Sequence, residues 1–335
     1  MSLKVKIWLG MLSIYTVWGS TYLAIRFAVE TLPPFLMAAT RHLTAGLIIF
    51  TWMRLSGAPK PTVKQWKTTG VVGLFLLLGG NGFVSWAEQH VVSGVAAVLV
   101  GSVPLWIVLF DSFRQGGRRP SWQTVAGALI GFAGIVILIN PLGQGDSSQS
   151  IHKMGALMLL IAALSWSIGS IYSRENHDNM PKQPMLASGM ELIVGGAGLL
   201  VTGTIFGEWS KLNLAAISSN SLLGLGYLIV FGSLVGFASY SWLLGVAPTP
   251  LVSTYAYVNP LVAVVLGNLL AQEPLNLRII LATLLIVGAV VMINTTSALR
   301  VIRSPASSAR KPPPVSKNPS TPMGVASDGC SASED

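Results

Sequence analysis

Residues 93–113 read Ser93-Gly94-Val95-Ala96-Ala97-Val98-Leu99-Val100-Gly101-Ser102-Val103-Pro104-Leu105-Trp106-Ile107-Val108-Leu109-Phe110-Asp111-Ser112-Phe113. From Ser93 to Phe110 there is no charged side chain. A helix that crosses the hydrocarbon of a bilayer needs about 20 mainly apolar residues, and this run meets that length. Near its centre stand a hydroxyl, Ser102, and a helix breaker, Pro104. Working outward, runs of the same kind recur at 7–27, 34–53, 68–87, 122–140, 154–172, 184–206, 222–244, 250–271 and 277–294. Short linkers with breaker residues separate most of them, among them Leu32-Pro33-Pro34, Gly116-Gly117-Arg118-Arg119-Pro120 and Pro248-Thr249-Pro250. The reading is an all-α integral membrane protein with ten transmembrane helices.

Composition agrees with that class. Of 335 residues, 52% are hydrophobic and 10% charged, whereas a soluble domain carries about 25% charged residues. A net charge of +9 invites a nucleic-acid reading. The basic residues lie instead in short segments between apolar runs and along the C-terminal tail, so the partner expected is the lipid bilayer and no nucleic acid. The lone cysteine, Cys330, allows no disulfide within the chain. The apolar run beginning at Ile7 is long and lacks a cleavage-site pattern after it, so it reads as a retained helix. Residues 304–335 are rich in Ser and Pro with Lys and Arg interleaved, the composition of a disordered tail.

Lys and Arg concentrate on one side of the alternating spans. That side holds Lys4, Lys6, Arg54, Lys60, Lys64, Lys67, Arg114, Arg118, Arg119, Arg174, Lys182, Arg300 and Arg303, plus the tail, and the other only Arg26, Lys153, Lys211 and Arg278. The excess of basic residues marks the cytoplasmic side, which places both termini in the cytoplasm.

Five features of the first half recur in the second. Trp18 recurs as Trp166, Pro34 as Pro184, Arg41 as Glu191, Ser85-Trp86 with Pro104 as Ser241-Trp242 with Pro260, and Ile139-Asn140 as Ile293-Asn294. The offsets run only from 148 (Trp18 to Trp166) to 156 (Pro104 to Pro260). The pattern argues for a duplicated five-helix unit, residues 1–143 and 151–298. Five is odd, so the second copy is inverted in the membrane. Inverted repeats of this kind handle substrate near the midplane between the halves.

The stretch Val17-Trp18-Gly19-Ser20-Thr21-Tyr22 resembles the first helix of EamA-type permeases of the drug/metabolite transporter superfamily. So does Glu273-Pro274-Leu275, with the Gly288-containing last helix that ends at Asn294. The resemblance covers residues 7–298. It implies ten helices in paired repeats, a bacterial cell inner membrane, and export of small metabolites. In one place the chain departs from the pattern: Arg119-Pro120 stands where the first-half counterpart of Glu273-Pro274 is expected.

No enzyme signature is present: no His-Glu-x-x-His, no phosphate-binding loop, no Gly-x-Ser-x-Gly. The four histidines, His42, His90, His152 and His177, are scattered, so neither a metal site nor a cofactor is expected. The residues of interest lie in mid-membrane. At about 1.5 Å rise per residue, Trp18 lies about 16 Å into a hydrocarbon layer of about 30 Å, and Trp166 at a similar depth. Ser102 and Pro104 are central in the fourth span, and Tyr255, Tyr257, Asn259 and Pro260 in the ninth. Each proline leaves a backbone carbonyl without its usual donor, that of Val100 or Ala256. Such a carbonyl must face a cavity or another helix. The reading is a polar and aromatic cavity between two broken helices; the alternative is two kinked helices packed together. Tyr22 reads either as path or as packing. Asn81, within Gly79-Gly80-Asn81-Gly82, reads either as a hinge or as a close-packing spot, as does its partner region around Gly232 and Gly236.

Charges inside spans are candidates for function. Arg41 is a candidate for substrate contact or gating, although at its depth a long side chain also reaches water. Glu191 is a candidate for proton or cation coupling. Inversion puts these two near opposite faces, so no direct pair is expected. Glu88 reads as a solvated helix end or, alternatively, as a proton relay. The Gly127-x-x-x-Gly131 spacing packs helices either within one copy or in a homodimer. The function expected is secondary transport, as export, of small organic metabolites such as amino acids or related solutes, by alternating access. A passive facilitator and a non-transporting sensor or assembly protein are the alternatives.

Overall fold

A computed structural model of the chain describes residues 2–113, 121–139 and 152–303. The tail 304–335, Arg119-Pro120, Asn140 and Cys330 lie outside the described residues. Within them every regular element is helical. The α-helices are α1 (Leu3–Ala28), α2 (Pro34–Leu55), α3 (Val63–Gly73), α4 (Phe83–Ala87), α5 (Ser93–Val100), α6 (Val103–Phe113), α7 (Trp122–Ile139) and α8 (Lys153–Glu175). They continue with α9 (Pro184–Ile205), α10 (Glu208–Lys211), α11 (Ser219–Tyr227), α12 (Gly236–Val246), α13 (Thr249–Val252), α14 (Tyr255–Ala271) and α15 (Leu277–Arg303).

Local sequence explains the ends. Ser2 caps α1 and Ser218 caps α11 through their side-chain oxygens. Thr62 and Gln65 close a reciprocal capping box on α3. Pro34 and Pro184 open α2 and α9, where a missing N–H is harmless.

Two long helices are interrupted without being broken. Between α3 and α4, Leu74–Gly82 winds as a π-helix, and between α11 and α12, Leu228–Val235 does the same. Wider turns of this sort are frequent at functional sites. Two other helices do break. A two-residue gap at Gly101-Ser102 parts α5 from α6, and one at Ser253-Thr254 parts α13 from α14. The first break falls where Pro104 leads the sequence to expect it, because proline fits the first turn of the new helix α6. The second does not fall at Pro260, which lies inside continuous α14.

Among the described residues seven helices are long and apolar enough to cross a membrane: Pro34–Leu55, Val63–Ala87, Ser93–Phe110, Trp122–Ile139, Lys153–Glu175, Pro184–Ile205 and Ser219–Val246. Tyr255–Ala271 and Leu277–Ile293 are shorter apolar helices. Leu47, Ile48, Leu129, Val136, Leu269 and Leu284 stay exposed on the outside of the bundle, a surface that water would penalise and lipid tails solvate.

Helices approach closely where the sequence supplies glycine. A Cβ on Gly73 would stand 2.4 Å from the carbonyl oxygen of Glu191, and one on Gly46 2.9 Å from the amide nitrogen of Ile193. Small residues therefore let α9 lie against both α3 and α2. Gly127 and Gly131 pack inside the chain, against Ile293, Ala289 and Leu105.

Two carboxylates tie one end of the bundle together. Glu208, buried, accepts the amides of Phe35 (3.3 Å) and Leu36 (2.9 Å) at the start of α2. Glu273, also buried, accepts those of Ser93 (2.8 Å) and Gly94 (3.0 Å) at the start of α5. Each anion sits at the positive end of a helix dipole and fills orphan first-turn donors. Arg26 adds an ion pair to Glu273 at 3.5 Å and a hydrogen bond to the Val91 carbonyl at 3.3 Å.

Candidate functional site

The π-helical segment Leu228–Val235 shifts hydrogen-bond register, which leaves a carbonyl for an outside donor. Trp18, on α1, donates its indole N–H to the Gly232 carbonyl at 3.2 Å. The next residue, Ser233, accepts from Arg41 Nε of α2 at 3.1 Å. Absence of a side chain at Gly232 makes this convergence possible. A Cβ there would lie 3.1 Å from both Arg41 Nη2 and Thr21 Cγ2.

Aromatic rings surround the indole. Its centroid lies 5.0 Å from that of Tyr255, 5.2 Å from Tyr240 and 5.8 Å from Phe237, edge-on or tilted. These are the offset arrangements that aromatic quadrupoles favour. All four residues are half-buried. Beneath them Asn259 is buried. With its amide nitrogen turned toward the carbonyls of Tyr255 and Tyr15, it donates at 3.2 and 3.3 Å. The Tyr15 hydroxyl bonds that of Thr254, at the break between α13 and α14.

The structure thus gathers Trp18, Arg41, Tyr255 and Asn259 from three helices, together with Tyr240 and Phe237, around the π-helical turn. Glu191, on α9, is half-buried. Among the described residues no ion pair joins it to Arg41.

The other sequence candidates stand elsewhere. Trp166, on α8, packs on Gly80 of the first π-helical segment, where a Cβ would come within 2.8 Å of the ring. Asn81 is half-buried in that same segment. Ser102 is fully buried; it donates to the Leu99 carbonyl at 2.6 Å and accepts from the Trp106 indole at 3.1 Å. A Cβ on its neighbour Gly101 would meet Pro260 at 2.9 Å, so the helices carrying Pro104 and Pro260 pack against each other there. Tyr22 and Tyr257 pack on the largest apolar cluster.

Glu88 is not a solvated helix end. It is 1% exposed, and among the described residues neither carboxylate oxygen has a hydrogen-bond partner. Position in sequence suggested a rim, but the side chain is buried in the interior. His42, beside Arg41, is equally buried with both ring nitrogens unpartnered.

Ser233, Phe237 and His42 carry no role in the sequence reading, because their surroundings come from other helices. The glycines Gly232 and Gly236 did signal the special segment.

The EamA-like transporter family model matches residues 5–140 and 153–295. The chain belongs to this family. As an EamA-like transporter it is a multi-pass membrane protein, consistent with its exposed apolar belt. It is 37% identical over 288 residues to the "Uncharacterized inner membrane transporter YedA" of Escherichia coli K12, covering 85% of this chain and 89% of that one. It is 25% identical to the "Uncharacterized transporter YoaV" of Bacillus subtilis, over 89% of this chain and 100% of the relative. A solved crystal structure shares the fold with a TM-score of 0.59 at 21% identity, over 90% of this chain and 100% of its own.

Proposed function

We propose that this EamA-like transporter is a secondary transporter of small organic metabolites, such as amino acids or related amphipathic solutes. Ten spanning helices, arranged as two inverted five-helix repeats, would rock about a site between the halves. The observation that carries this reading is a reciprocal exchange. Trp18 of the first half packs on the π-helical segment of the second, near Gly232 and Gly236, and Trp166 of the second half packs on that of the first, at Gly80. The break at Gly101-Ser102 receives the Ser167 hydroxyl, which donates to the Val103 carbonyl at 3.1 Å. In turn, the break at Ser253-Thr254 receives that of Tyr15. The two matches of the family model support the duplication.

Both termini are cytoplasmic in this reading, and the membrane is the inner one, as YedA's name states for YedA. Export as the direction rests on the family resemblance alone. Glu88 and Glu191 are the coupling candidates, and two titratable groups in the interior favour coupled transport over passive facilitation.

Reconstitution tests this. Proteoliposomes should take up labelled amino acids or related solutes saturably, and an imposed pH gradient should drive accumulation. Equilibration without accumulation would leave a facilitator. Flux no greater than in protein-free liposomes, for every solute, would remove the transporter reading.

A further inference from the structure

Arg41 is nearly buried at 5% exposure, yet among the described residues its guanidinium makes a single hydrogen bond, through Nε to Ser233. Guanidinium carries five N–H donors, four of them beyond Nε. Among the described residues no carboxylate forms an ion pair with it. A charge withdrawn from water and left unpaired is unfavourable, and intramembrane arginine is retained for a partner. Among the described residues no side chain fills that place.

Geometry indicates what the partner looks like. The Nη2 end lies beside Gly232, whose carbonyl holds Trp18. One residue of backbone therefore separates the open donors from the half-buried ring cluster of Trp18, Phe237, Tyr240 and Tyr255. A planar fork of donors matches a carboxylate. Aromatic faces suit an apolar or aromatic body attached to it.

We propose that Arg41 is the carboxylate-binding residue of the substrate site, and that the solutes handled are small organic acids with an apolar or aromatic body lying on Trp18, Tyr240 and Tyr255. This rests on the transport reading and adds the substrate's charge to it. Ser233 holds the guanidinium through Nε and so leaves the outer donors free.

The test uses the full-length purified chain and matched probes. These are phenylalanine, phenylalaninamide, phenethylamine and 3-phenylpropionate, with leucine and leucinamide as the aliphatic pair. Binding is measured by calorimetric titration, and flux in proteoliposomes. The acids should bind at least about tenfold more tightly than the amides, the effect of one charge-assisted hydrogen bond. Arg41→Gln should erase that preference and Arg41→Lys keep part of it. Ser233→Ala, which leaves the charge, should weaken the acids less; it keeps the test valid if Arg41→Gln does not fold. Amides or amines bound as well as the acids would overturn the proposal, as would acids that do not bind or a preference that survives in Arg41→Gln. If liposomes carry the amides or amines but not the acids, the carboxylate site falls and the transport reading stands. Absence of flux for every solute removes both.

Discussion

Replacing Glu273 by alanine should loosen the end of the bundle where α5 begins. The carboxylate accepts two first-turn amides, at 2.8 and 3.0 Å, and is only 6% exposed. Each buried donor left without an acceptor costs about 1–3 kcal/mol. The small cleft lined by Val92, Gly94, Val264 and Asn268 adjoins the carboxylate, so water can replace part of it. That moves the sum toward the low end, about 2–4 kcal/mol. The Arg26 pair adds little, about 0–1 kcal/mol, because Arg26 is 34% exposed and screened. Glu273→Gln keeps one acceptor and the shape but loses the charge at the helix dipole, a smaller loss of about 1–2 kcal/mol. Reversible unfolding in mixed micelles, followed by circular dichroism, gives the differences. Glu208→Ala, which uncaps α2 in the same way, is the parallel case. An alanine variant within about 0.5 kcal/mol of the parent would refute the reasoning, as would equal losses for Gln and Ala.

Three further outcomes follow from the packing and the charge pattern. A Cβ on Gly236 would lie 2.3 Å from Trp18 Nε1, so Gly236→Ala should displace the indole, cost about 1–3 kcal/mol and change solute affinity more than Gly46→Ala, measured by transport at matched expression. Asn259→Leu should lower stability by about 1–3 kcal/mol in the same unfolding assay, because the carbonyls of Tyr15 and Tyr255 lose their donor. With Cys330 as the native thiol, an impermeant maleimide should label opened cells and spare intact ones; equal labelling would reverse the cytoplasmic assignment of the C-terminus.

The sequence alone determined the class of molecule. Uncharged runs such as 93–110 can be stable only in lipid or deep in a protein, and spacing of Trp18, Arg41 and Pro104 against Trp166, Glu191 and Pro260 exposed the recurring pattern. Breakers are equally local, so Pro34 and the break before Pro104 were legible in the chain. Tertiary structure decided which polar groups meet. Glu88 lies at a helix end in sequence, but its burial depends on what folds over it. Pro260 has a breaker's chemistry, yet α14 runs through it and the break falls at Ser253-Thr254, where the Tyr15 hydroxyl meets Thr254. Arg41 reads as a charge that can reach water; only the approach of the Gly232-Ser233 turn shows it held inside with its outer donors unfilled. Hydrophobic spacing acts along one helix and can be read from its residues. A polar site made by α1, α2, α12 and α14 depends on how distant segments cross, and that is fixed by their packing.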